Sequence, residues 1–125
     1  MFHSKIFEAA RLNSNFRQVL FTGDHSQVVV MSLKVGEDIG KETHHKNDQL
    51  LIIASGQAQV EIGDDSRLCS EGEMAAVPAG SPHNVTNKGD HECKIITIYG
   101  PADHEPGTVH ATKADALKDE GPPEQ

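Results

Sequence analysis

From Phe16 onward, short β-branched and apolar runs alternate with clusters of Gly, Asp, Asn and Pro. Strands separated by tight turns read this way. The pattern predicts strands over Phe16–Phe21, Val28–Val35, Lys41–His45, Gln49–Ala54 and Gln57–Ile62. Further strands are expected over Arg67–Cys69, Met74–Val77, His83–Thr86 and Cys93–Tyr99. Ser55-Gly56 and Gly63-Asp64-Asp65 supply turns whose residues tolerate positive φ. Many short strands at this spacing predict an all-β sandwich or barrel.

Both ends depart from the pattern. Ser4 to Asn13 carries a weak helical signal, with Ile6, Phe7 and Ala10 on one side. Gly100 to Gly107 reads as a loop rich in Pro and Gly. After it, Thr112 is placed to cap a short helix, with Asp115 at its third position. The helix is expected to stop before Gly121-Pro122-Pro123, with a frayed tail beyond.

Composition narrows the class. A chain of 125 residues suggests one domain. We read it as an N-terminal segment and edge strand (1–27), a barrel (28–100) and a C-terminal loop, helix and tail (101–125). A net charge of −8 argues against nucleic-acid and anionic-membrane partners, which require basic surface. No apolar run approaches the length of a membrane span, and the N-terminus has no secretory apolar core. Two cysteines, Cys69 and Cys93, do not make a disulfide framework and read as reduced thiols of a cytoplasmic protein. Eight histidines are a surplus that points to metal or acid–base chemistry.

Two spaced patterns organise that surplus. The first is Gly36-x5-Glu42-x-His44-x4-Gln49-x6-Gly56, and the second is Gly72-x5-Pro78-x-Gly80-x2-His83-x3-Asn87. On a strand, residues two apart share a face, so Glu42 and His44 point together while Thr43 and His45 point away. A turn after them brings in Gln49. The two patterns together resemble the paired motifs of the cupin family. The second agrees at every fixed position. The first agrees in spacing and both glycines, but Glu42 stands where His is usual and Gln49 where Glu is usual.

The resemblance implies a double-stranded β-helix (a jelly-roll, or cupin, barrel), here with a short C-terminal helix. It also implies that Glu42, His44, Gln49 and His83 converge on one divalent transition metal. The usual three His and one Glu carry one negative charge, and so do these four, since the carboxylate has moved rather than vanished. Two imidazoles and two oxygens suit Mn, Fe, Co, Ni or Zn better than Ca or Mg. Gln49 has a second reading, as a residue that orients a ligand or a water by hydrogen bonding. Asp48 is an alternative acid at the same turn, but parity puts it on the other face. His45, His3, His25 and His91 read as structural or surface residues. His104 and His110 lie in a C-terminal stretch that either folds over the barrel mouth as a lid or packs as a surface segment or dimer arm.

Fold resemblance leaves function broad. The leading expectation is a small metal-dependent enzyme on a polar small molecule, of the sugar or sugar-phosphate isomerase kind. A metal-dependent dioxygenase and a non-catalytic small-molecule-binding or sensing module are the alternatives. The acidic balance disfavours a strongly anionic substrate unless Lys41, Lys46 or Lys94 stands at the mouth. Exposed edge strands predict a homodimer, paired through the N-terminal segment and Phe16–Phe21.

Overall fold

The structure is a computed structural model that describes residues 1–122. Helix α1 (Ile6–Leu12) is followed by strands β1 (Arg17–Thr22), β2 (Gln27–Leu33), β3 (Asp48–Ser55), β4 (Gln57–Ile62) and β5 (Asp65–Ser70). Then come β6 (Met74–Val77), β7 (His83–Asn87), β8 (Cys93–Gly100), the two-residue β9 (Val109–His110) and α2 (Lys113–Glu120). Among the described residues the strands form two antiparallel sheets, in the orders β6-β3-β8-β2-β1-β9 and β5-β4-β7. The expected all-β jelly roll with a short C-terminal helix is what the structure shows.

The sheets enclose the main core. Met31, Leu33, Leu51, Ile53 and Ile95 of the larger sheet meet Ala58, Val60 and Val85 of the smaller one. The uninterrupted run Val28–Met31 has a separate cause. A strand with one wet face alternates, whereas one buried on both faces does not. Here α1 covers the outer face of the large sheet, so Ala10 and Ile6 pack on Val30, Ala54 and Ile96. The weak helical signal at the N-terminus is thus a real element, held by the sheet rather than by its own propensity.

The capping box of α2 forms as expected. The Thr112 hydroxyl accepts from the Asp115 N–H at 3.1 Å, and the Asp115 carboxylate accepts from the Thr112 N–H at 3.3 Å. The helix ends at Gly121, with φ +76°.

Two expectations are corrected. Lys41–His45 is not a strand. Within it a single isolated bridge, Glu42 to His83, pairs with β7, and a second, Asp38 to Thr86, lies upstream. Gly40, at φ +109°, interrupts the ladder between them. The strand Phe16–Phe21 is not a free edge either. β1 lies between β2 and β9, because the C-terminal segment returns to pair Arg17 with His110 and Gln18 with Val109. Among the described residues the end strands of the two sheets are β6 and β9, and β5 and β7.

Candidate metal centre

Backbone pairing brings the two sequence patterns together. Glu42 and His83 exchange both backbone hydrogen bonds at 3.0 Å. The Gly80 N–H donates to the His44 carbonyl at 2.8 Å, so the turn before His83 is tied directly to His44. Gly80 sits at φ +86°, which lets that turn form without steric cost.

The side chains meet as a result. His44 Nε2 lies 3.2 Å from Glu42 Oε1, and His83 Nε2 lies 3.7 Å from the same oxygen. Ligand atoms of Glu42, His44 and His83 all fall within 4.8 Å of one another. The three side chains are 13%, 11% and 2% exposed.

Each imidazole is held from behind. His83 Nδ1 donates to the Ser81 carbonyl at 2.9 Å. His44 Nδ1 faces Asp103 Oδ1 at 3.2 Å. Both Nε2 atoms are buried with no aligned hydrogen-bond partner. An acceptor on Nδ1 turns each ring so that Nε2 faces the shared space, the usual orientation of a metal-bound histidine. Orphaned buried nitrogens are costly unless something occupies the space between them, so the donor set fits a divalent transition metal.

Gln49 belongs to the same cluster of buried polar groups. It is 1% exposed, and its Nε2 donates to Thr97 Oγ1 at 2.9 Å and to the Tyr99 hydroxyl at 3.3 Å. Its Oε1 is buried and unpartnered. The carboxamide is therefore oriented by its nitrogen, with the oxygen left over as a donor. Asp48 is exposed and accepts from the Ala79 N–H at 3.0 Å, so it holds the Pro78–Gly80 turn. His45 is exposed, as are His3, His25 and His91.

Charge organises the centre further. Burial opposes ionisation of Glu42, but His44 and His83 outweigh it and hold its pKa down to about 2. Burial likewise opposes a charge on His44, while Asp103 and Glu42 push its pKa up to about 10. The cluster thus favours a cation, which a proton supplies in the absence of metal. Tyr99 is held neutral, chiefly by burial and then by the Glu42 charge.

Asp103 was not legible from spacing. A row of registered residues across the large sheet explains its position: Gln27 opposes Tyr99 on β8, and Tyr99 opposes Gln49 on β3. Gln27 is fully buried, and its Oε1 accepts the backbone N–H groups of Asp103 and His104, each at 3.0 Å. Its Nε2 donates to the His104 carbonyl at 2.7 Å. Asn47 Nδ2 adds a bond to the Ala102 carbonyl at 3.1 Å. The C-terminal segment is therefore clamped across the barrel mouth.

A cavity of about 380 Å³ opens above the centre. Glu42, His44, Asp103 and His104 line its floor, and Phe16, Ile39, Ala116 and Leu117 give it apolar wall. Its cations are Arg17 and Lys113, not the lysines considered from sequence. Lys94, for one, is occupied elsewhere with the Asn13 carbonyl and Ser32 Oγ. Of the two C-terminal histidines, His104 reaches the cavity, while His110 packs beneath α2 against Asp119 at 2.9 Å.

A family model described as a cupin domain matches residues 29–99. The chain belongs to the cupin family. This cupin is 44% identical over 118 residues to the uncharacterised protein YrkC of Bacillus subtilis, covering 90% of the chain and 63% of YrkC. It is similar to the solved structure of BH2720 from Bacillus halodurans, with a TM-score of 0.92 and 40% identity over 94% of this chain and 93% of that one. A stretch of 76 residues is 30% identical to mannose-1-phosphate guanylyltransferase of Escherichia coli, covering 61% of this chain and 16% of the enzyme. The chain thus spans less than two-thirds of the length of these curated relatives.

The two cysteines are free and buried, as expected. Burial pushes the Cys93 thiol up to about 11 and raises that of Cys69 as well. Both are poor nucleophiles in this state. No described helix is long and apolar enough to cross a membrane.

Proposed function

We propose that this cupin is a metal-dependent enzyme that isomerises a polar small molecule of the sugar or sugar-phosphate kind. The observation that carries the reading is the convergence of Glu42 and two buried, unpartnered Nε2 atoms at the floor of an open cavity. Glu42, His44 and His83 would hold the metal, with Gln49 Oε1 as the fourth protein donor. A divalent transition metal bound there polarises a carbonyl or enediol oxygen as a Lewis acid.

The chain's own groups supply the rest. Isomerisation moves a proton between neighbouring carbons, so a base must face the cavity. His104 Nδ1 faces Glu120 Oε2 at 2.8 Å, and its Nε2 lies 3.4 Å from both Asp103 Oδ2 and the Tyr99 hydroxyl. In its neutral form this cavity-lining imidazole is the group placed to take the substrate proton and return it to the adjacent carbon. Asp103 keeps the His44 ring oriented, and the apolar wall formed by Phe16 and Leu117 limits water. The sugar-phosphate activity named for the guanylyltransferase relative supports the substrate class.

Metal content by mass spectrometry of the protein and of Glu42→Ala and His83→Ala tests the site. About one metal per chain in the parent, lost in both variants, is expected. Deuterium uptake from solvent into a panel of aldoses and sugar phosphates then tests the reaction. No metal after reconstitution with Mn, Fe, Co, Ni and Zn would overturn the reading. A set of two histidines and one carboxylate is also the ligand arrangement of iron(II) oxygenases. Substrate-dependent oxygen uptake by the iron(II)-loaded protein, without deuterium exchange, would favour that alternative.

A further inference from the structure

The outer face of the large sheet is apolar well beyond the part that α1 covers. Strand register lines up one row across five strands: Phe21, Val28, Ile98, Leu50 and Ala76. Ala76 is exposed and the other four are half-buried. The next row brings Ile52, also half-buried, opposite Met74, which is 55% exposed. Along their strands these residues alternate with Leu51, Ile53, Ile95 and Val77 of the core, so their side chains leave the barrel. An antiparallel sheet with one face in water carries polar side chains on that face. Neither row holds a charged side chain, although 24% of the chain is charged.

α1 gives this face a step. Ile6 and Ala10 sit on Val30, Ala54 and Ile96, and Lys94 Nζ donates to the Asn13 carbonyl just past the helix at 2.7 Å. The helix is thus a ridge about 10 Å high over one end of the face. Its Phe7 and Leu12 are 41% and 76% exposed. The row containing Ile98, Leu50 and Ala76 is the shelf beside the ridge, and Phe2, stacked on Phe21 at 5.3 Å, bounds it at β1. A two-fold axis lying in the face and running along the rows reverses the strand direction of a second copy. Each ridge then lies over the other copy's shelf, so the surface is complementary to itself, as a two-fold interface requires.

Charge and area both favour a second copy as the occupant. A chain of net charge −8 repels its own copies, least so through a face that carries no charge. Five strands about 4.8 Å apart, over about 20 Å of their length, present on the order of 500 Å² per copy, to which the outer side of α1 adds. A standard interface takes about 800 Å² from each partner.

We propose that the outer face of the large sheet, together with α1, is the interface of a homodimer in which α1 of each copy lies on the shelf of the other. The β1 edge expected from sequence to pair two copies is closed by β9, and this face replaces it. The inference is independent of the reaction proposed above. Gln49 and Tyr99 leave β3 and β8 on the inner side, so the interface and the candidate metal centre lie on opposite sides of one sheet.

Sedimentation equilibrium of the full chain, from micromolar to submillimolar concentration, is expected to show a dimer. Met74→Glu with Ala76→Glu charges the exposed part of the shelf and is expected to raise the dissociation constant at least about 100-fold. Leu68→Glu, at an equally exposed position on β5 of the other sheet, is expected to leave it unchanged. Far-UV circular dichroism shows whether the variants keep their fold. A second measurement needs no substitution: copies with labelled leucine and isoleucine methyls are mixed with unlabelled copies, and isotope-filtered NMR is expected to show Leu50 or Ile98 methyls touching α1 of the other copy. A chain that stays monomeric at submillimolar concentration would overturn the dimer, as would one that instead binds phosphatidylcholine vesicles through this face. A dimer that survives the two shelf charges, or one without contacts from Leu50 or Ile98 to the other copy, would overturn the assignment of the face.

Discussion

Asp103 Oδ1 lies 3.2 Å from His44 Nδ1, so a residue of the C-terminal segment sets the orientation of a candidate metal ligand from the first sequence pattern. The barrel motifs alone do not complete the centre. The strap over the mouth contributes its outer support, and Gln27 holds that strap by three hydrogen bonds to its backbone.

Replacing Asp103 with Asn is therefore expected to weaken metal binding by about 10- to 100-fold, the usual effect of losing a carboxylate behind a ligating imidazole. The fold stays intact, because the Asp103 side chain is part of no core cluster. Competition against a chelator of known affinity measures the loss, and an unchanged affinity would remove Asp103 from the centre.

Gln49 separates ligand from support. Glu at this position adds a negative oxygen where an unpartnered one already stands, so Gln49→Glu is expected to tighten divalent-metal binding. Gln49→Leu removes both the oxygen and the bonds to Thr97 and Tyr99, and is expected to weaken it. Calorimetric titration with Mn and Zn reads both, and equal affinities in all three proteins would leave Gln49 a structural residue.

The pH dependence has a definite sign. In the metal-free protein His44 holds a proton until about pH 10, so metal must displace it and affinity rises with pH through the neutral range. Uptake releases close to one proton at pH 7, measurable by calorimetry in buffers of different ionisation enthalpy. Stability follows the same groups. The raised His44 pKa contributes stability that is complete below about 6.5 and lost as pH rises toward about 10. The lowered Glu42 pKa contributes stability present above about 4.5 and lost as pH falls toward about 2. Metal-free protein is thus expected to have its highest Tm between about pH 4.5 and 6.5 from these two groups, and bound metal to raise Tm further by linkage.

Gly56 is the turn position least able to change. It sits at φ +89°, and a Cβ there would lie 3.2 Å from both Cys93 Cα and the Glu92 carbonyl oxygen. Gly56→Ala therefore combines left-handed strain with a backbone contact, at a cost of about 1–3 kcal/mol. Gly63→Ala, at φ +56° with nothing within 4 Å, bears only the strain. Comparing the two by urea denaturation isolates the contact, and equal losses would show the backbone yields at no cost.

The sequence by itself determined most of the strands, the turns, and three residues, Glu42, His44 and His83, that the structure brings together as candidate metal ligands. Those signals are local: alternation within a strand, glycines where φ is positive, and ligands two residues apart on one face, as with Glu42 and His44. The capping box at Thr112 and Asp115 was legible for the same reason. What tertiary structure decided is what joins distant segments. Lys41–His45 looked like a strand, but a ladder needs a partner in register, and Gly40 limits the pairing to single bridges. β1 looked like an edge until β9 returned to cover it. Asp103, His104, Glu120 and Arg17 carry no shared spacing. Gln27, in register with Tyr99 and Gln49, ties Asp103 and His104 over the site, while the pairing of β9 with β1 brings α2 and Glu120 back to Arg17.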